Sequence, residues 1–250
     1  MKYEWKATGR VLLPLYGIFL VTAILTNLFV TTSLTTITGI IVLLFTAMSI
    51  VCIVMTLILL IQRFNTSLLQ DEGYLMFTLP VSIPQLIFSK MIVALFWGIV
   101  GGLIGLLGGF FIVMSSDIVA GIKELFSQIQ PYLSMLTWEH YTFAALLLVG
   151  SIISYATFIM AIYASLSAGQ LPMLSKYRRL AALGCFFVYY IIFINIASFI
   201  QNTIFDATIT TAYPGNLLLP MSSAIIVEAL FFTALFLLTR YILKNRLNLE

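Results

Sequence analysis

Charge is what this sequence has least of. Asp, Glu, Lys and Arg together make up 8% of its 250 residues, where soluble domains carry about 25%. Hydrophobic residues make up 62% and the mean hydropathy is +1.11. A water-soluble fold of this size cannot hide so much apolar surface, because surface grows too fast relative to volume. Other absences narrow the chemistry. There is no G-x-x-x-x-G-K run, so the chain has no P-loop and does not bind ATP in the usual way. A single histidine excludes H-E-x-x-H, and no G-x-S-x-G nucleophile elbow occurs. His140 has no partner His or Cys, so no metal site is expected. Cys52 and Cys185 each sit inside an apolar run and read as small buried hydrophobes rather than a disulfide or metal pair. No basic stripe points to nucleic acid; the net charge of +3 needs no partner beyond lipid headgroups.

What the chain does have is apolar length. Roughly 20 apolar helical residues cross a bilayer core, and six stretches qualify: Val11–Val30, Ile37–Ile61, Met91–Met114, Phe143–Leu166, Leu180–Ile200 and Leu217–Leu238. None contains Lys or Arg, and only the last contains an acid, Glu228. Each is expected to be helical, because unpaired backbone groups in lipid are costly and no barrel-like alternation is present. The expected fold is therefore an all-α membrane protein, one transmembrane domain over residues 1–250. Val11–Val30 is too long for a signal-peptide core and no A-x-A-like site follows it, so it reads as a retained first span. The terminal Leu249-Glu250 pair has the look of a cloning remnant and carries no argument.

Basic residues orient the spans. Eleven of the twelve lysines and arginines fall on one side, and only Lys123 falls on the other. The acids Asp117, Glu124, Glu139 and Asp206 share that basic-poor side. The positive-inside rule then places both termini in the cytoplasm. Outside, Thr31–Thr36 is short enough to make spans one and two a hairpin. Between spans three and four, residues 115–140 include Ile122, Leu125, Phe126 and Ile129 at i, i+3, i+4, i+7. That spacing predicts a short amphipathic helix on the outer surface, followed by Trp138 and Tyr141 at belt depth.

The cytoplasmic connection at residues 62–90 is more specific. Ser82 and Gln85 form a capping-box pattern with Pro84 in the first turn, so the third helix is expected to begin near Ser82. Upstream, Leu68, Leu69, Leu75, Met76, Phe77 and Leu79 are interleaved with Asp71 and Glu72. This reads as an amphipathic element parallel to the membrane. It is either an interfacial helix packed on the bundle or a docking element for a cytoplasmic protein with a basic-rimmed groove.

The run Glu72-Gly73-Tyr74-Leu75-Met76-Phe77-Thr78-Leu79-Pro80-Val81-Ser82, with Gln85 and Ser89-Lys90 after it, resembles bacterial ABC transporter permeases of the type-2 exporter superfamily. In many of these an EGY-x-x-x-TLPVS stretch joins the second and third of six spans. The resemblance implies two permeases, identical or homologous, forming a path and pairing with separate P-loop ATPase subunits that bind ATP and Mg. It implies a coupling helix over Leu68, Leu69, Asp71, Glu72, Gly73, Tyr74, Leu75, Met76 and Phe77, with Glu72 as its polar contact. It also implies an N-terminal interfacial helix beside the ATPase, carrying Lys2, Trp5, Lys6 and Arg10, and cargo such as peptides, toxins or antimicrobials.

Two further features sit inside the spans. Gly98, Gly102, Gly105 and Gly109 are spaced 4-3-4 along the third span and predict a close-packing face. Glu228 is costly in hydrocarbon, so a role is the default: lining the path, relaying a proton, or hydrogen bonding as a neutral group to a neighbour such as Asn195 or Tyr189. With no second acid inside a span, proton relay is the least favoured of these. The alternative for the whole chain is a secondary transporter or substrate-binding membrane component, for which an inverted repeat with broken helices would be the sign; none is visible. An intramembrane enzyme is disfavoured by the missing nucleophile and metal motifs.

Overall fold

The computed structural model of the chain describes residues 2–30, 35–69, 81–113, 118–133, 137–171, 177–208 and 214–245. Every element among them is helical. In chain order these are α1 (Lys2–Val30), α2 (Thr35–Phe64), α3 (Ile83–Val113), α4 (Ile118–Leu133), α5 (Trp138–Ala168), α6 (Arg178–Thr208) and α7 (Pro214–Asn245). All but α4 are long and apolar enough to cross a membrane. The six run 29 to 32 residues, about 45 Å at 1.5 Å per residue, which spans a hydrocarbon core with its headgroup layers. Each contains the apolar stretch expected of it, apart from Met114, and extends past it at one or both ends. Lys6 and Arg10 at the start of α1 and Arg240 and Lys244 at the end of α7 are good helix formers, so nothing stops those helices at the edge of the apolar run.

One expected boundary is absent. Lys2, Trp5, Lys6 and Arg10 do not form a separate interfacial helix, because α1 runs without interruption from Lys2 to Val30. Pro14 removes one backbone hydrogen bond, but no turn residue accompanies it, and its fixed φ is itself helical.

The chain forms two compact units. The first comprises residues 1–60 and 96–135. Its core is a stripe on α1, where Leu12, Tyr16, Phe19, Ala23 and Thr26 recur every three or four residues and are all buried. Thr56 of α2 donates to its own helix at Cys52 O (2.7 Å), which leaves Tyr16 to donate to the Thr56 hydroxyl at 3.0 Å. Phe19 packs on Phe45 of α2 with ring centroids 5.2 Å apart.

The glycine face of α3 is not the expected one. Gly102, Gly105 and Gly109 have no atom of another element within 4 Å of where a side chain would begin. Gly101 and Gly108, two turns apart, receive α1 instead. A Cβ on Gly101 would lie 2.9 Å from the Tyr16 hydroxyl, and one on Gly108 would lie 2.5 Å from the Phe19 ring. Six glycines within twelve positions cover two adjoining faces of the helix, and the aromatics of α1 select between them.

The second unit comprises residues 61–95 and 136–250. The C-terminal half of α5 is its interior: Ala156, Thr157, Ile159, Met160, Ala161, Tyr163 and Ala164 are buried. At its base α2 ends in a wider π turn, Asn65–Leu69, a local irregularity often found near functional sites. Phe64, just before it, stacks on Tyr163 with centroids 3.9 Å apart. Helix α3 starts where its capping residues place it. The Gln85 side chain accepts a hydrogen bond from the Ser82 backbone N–H at 3.2 Å, and Ile83 opens the helix.

Candidate functional site

Within the second unit, α5 and α7 run side by side because α5 offers small residues where α7 approaches. Gly150 faces Ile225, whose side chain lies 3.4 Å from the position a Cβ would take. One turn on, the Ser154 hydroxyl reaches the Glu228 carboxylate, 2.5 Å from each oxygen. That is a short O–H···O distance, with one donor shared between two acceptors. Thr157 continues the row, its hydroxyl donating to Ile153 O at 2.9 Å and lying 3.4 Å from Glu228 O. The mid-span acid is therefore held by a serine of a neighbouring helix. Asn195, suggested as its partner by the sequence, donates instead to Ile191 O of its own helix at 2.7 Å and is exposed. Tyr189 packs against Phe193 and Phe231.

Toward the N-terminal ends of α5 and α7 the seam opens into a cavity of about 660 Å³. Trp138, Glu139, Thr142, Val149, Ser222 and Ile225 are among the residues that line it. One carboxylate oxygen of Glu139, Oε2, is out of solvent and has no hydrogen-bond partner among the described residues. From Glu139 to Ser154 is fifteen residues of helix, about 22 Å of rise. The seam thus has an acid at its mouth and another at depth, between walls that are mostly apolar. Such a surface can hold the cationic part of an amphiphile while its apolar part lies against Val149 and Ile225. A second cavity of about 530 Å³ lies nearer the C-terminal half of α5, lined by Ala161, Ser165, Cys185, Tyr189 and Leu235 among others, and it is almost wholly apolar. Both cysteines are free thiols.

The residues expected to form a coupling helix divide. Leu68 and Leu69 do not offer apolar surface to another protein: they are 0% and 4% exposed, packed inside the second unit on the π turn that ends α2. Asp71, Glu72, Gly73, Tyr74, Leu75, Met76 and Phe77 lie outside the described residues. His140 is a helix cap: its Nδ1 lies 3.3 Å from the Thr137 backbone nitrogen and 2.7 Å from the Thr137 hydroxyl at the start of α5. Thr137-x-x-His140 follows the capping-box spacing with His in place of Glu or Gln, a signal present in the sequence but not read from it. Ser154 and the unpartnered oxygen of Glu139 had no such signal.

Compared with family models, curated proteins and solved structures, the chain matches none.

Proposed function

We propose that this chain is the membrane-spanning permease subunit of an ATP-driven exporter. The reading is carried by the run Glu72–Ser82 between the second and third of six apolar helices, with its resemblance to type-2 ABC permeases. ATP binding in a separate P-loop subunit closes the ATPase dimer, moves the segment containing Glu72 and Leu75, and tilts the spans of two facing permeases. Binding energy in the partner subunit, not chemistry in this chain, does the switching. Both termini lie in the cytoplasm of a bacterial cell, and the cargo class suggested by the resemblance is peptides, toxins or antimicrobials. The Glu139–Glu228 seam is suited to a cationic amphiphile of that kind. With Leu68 and Leu69 spent on packing, the docking surface narrows to Asp71–Phe77.

The test is co-purification of the chain with a P-loop ATPase encoded beside it and measurement of ATP hydrolysis. The expected result is an intact complex whose activity the permease stimulates, with Glu72→Ala and Leu75→Asp each cutting that stimulation at least about tenfold, the scale of losing one docked contact. No complex, or stimulation untouched by both substitutions, would sink the proposal in favour of a transporter working without an ATPase.

A further inference from the structure

The beginning of α1 carries a second feature that the transport reading does not use. Lys6 and Arg10 are four residues apart, so they share one helix face. Both side chains are exposed, and neither has an ion-pair partner among the described residues. Together with Trp5, Gly9, Leu13 and Pro14 of α1 and Trp97 of α3, they line a groove of about 530 Å³ within the first unit.

The groove wall is built rather than incidental. Trp5 lies against Phe96 with ring centroids 4.1 Å apart. A Cβ on Gly9 would come within 3.2 Å of the Trp97 ring, so glycine lets α1 approach that ring as closely as it does. Trp97 is 4% exposed, and its indole N–H has no hydrogen-bond partner among the described residues. A buried indole normally finds an acceptor. The groove therefore presents two cations without an ion-pair partner among the described residues, beside the ring wall of Trp5 and Trp97. One turn deeper into the span, Leu13 and Pro14 make it apolar.

An occupant that answers all of this carries an anionic, acceptor-rich head and an apolar tail. We propose that the groove binds one anionic diacyl phospholipid, its phosphodiester between Lys6 and Arg10 and an acyl chain along Leu13 and Pro14. Charge complementarity selects the head, and the charged-to-apolar order along α1 selects a lipid over a free phosphate.

The experiment uses the full chain in detergent micelles, with lipid adducts counted by native mass spectrometry. Phosphatidylglycerol and phosphatidylcholine of identical chains are titrated separately. The expected result is one tight phosphatidylglycerol site, at least about tenfold stronger than any phosphatidylcholine adduct. Lys6→Gln/Arg10→Gln together should abolish that preference, while Lys123→Gln, an exposed cation on α4, should leave it intact. Leu13→Gln, which removes the apolar wall at an exposed position without touching charge, should weaken phosphatidylglycerol binding at least about threefold, with the thermal midpoint reporting that the fold is kept. An equal loss with Lys123→Gln would show general charge attraction and overturn the proposal. Displacement of the lipid by millimolar inorganic phosphate would overturn it too, by showing that the apolar tail contributes nothing. Unchanged binding in the double Gln variant would do the same.

Discussion

Helices α5 and α6 are alike in every property that marks a membrane span. Both are 31 residues long, and their most apolar windows have the same mean hydropathy, 2.2. Yet 33% of that window is buried in α5 and only 6% in α6. The difference lies in side-chain size rather than polarity. Along α5, Gly150, Ser154, Thr157, Ala161, Ala164 and Ser165 bring neighbouring backbones close. Along α6, Phe186, Phe187, Tyr190 and Phe199 hold them away, and Phe187 and Phe199 are 60% and 74% exposed. Lipid is as apolar as leucine, so hydropathy says only that a helix belongs in the bilayer, and small residues decide which helix sits inside the protein.

The comparison can be broken most forcefully at Tyr163. It is 2% exposed and stacked on Phe64, so Tyr163→Ala leaves a cavity that α5 cannot close. In lipid the transfer term is largely missing, and the cost is the lost packing, about 2–4 kcal/mol. Phe187→Ala on α6 removes a comparable ring that faces outward and should cost no more than about 0.5 kcal/mol. Reversible unfolding of both variants in the same mixed micelles measures the gap. Similar losses from the two would mean that α6 is covered by something other than lipid.

A glycine from each side of the divide sharpens the same point. Gly169 ends α5, and a Cβ there would lie 2.6 Å from the Arg178 carbonyl at the start of α6. Because the obstacle is backbone, Gly169→Ala forces the connection apart, at about 1–3 kcal/mol. Gly184 of α6 has no neighbour within 4 Å. There Gly184→Ala relieves the helix of a poor helix former and should raise stability by up to about 1 kcal/mol. Opposite signs in the two thermal midpoints are the expected outcome.

These contrasts explain what could be read in advance. The six spans were legible because bilayer thickness demands apolar length, a property of each segment alone. The start of α3 was legible because the Gln85 side chain accepts from the Ser82 backbone N–H only three residues away. Helix Ile118–Leu133 was likewise foreseen from a local spacing. What escaped depended on distant residues. Which α3 glycines pack is decided by Tyr16 and Phe19, some ninety positions away. That α1 would absorb Lys2–Arg10 required knowing that Pro14 does not end it. Leu68 and Leu69 looked available for docking because their burial depends on helices later in the chain. The partner of Glu228 was missed for the same reason, since Ser154 is 74 residues away.

That pair is also where the comparison between α5 and α6 reaches the candidate site. Ser154 on α5 and Asn195 on α6 each place a polar side chain near the middle of a span. Only Ser154 reaches the acid, because α5 brings small side chains up to α7 there, whereas α6 meets α7 through the rings of Tyr189, Phe193 and Phe231. Ser154→Ala should cost about 1–2 kcal/mol, the desolvation penalty of an acceptor stripped of its donor. Asn195→Ala, losing only a bond to its own helix, should cost about 0.5 kcal/mol or less. Stability alone does not assign the loss to the pair, so the decisive measurement is a cycle with Glu228→Leu. If the hydroxyl matters only through the carboxylate, Ser154→Ala becomes nearly neutral once Glu228 is gone, and the coupling energy equals the single-variant cost. A cost that persists in the Glu228→Leu background would assign Ser154 to the packing of α5 alone and leave the acid without a dedicated donor.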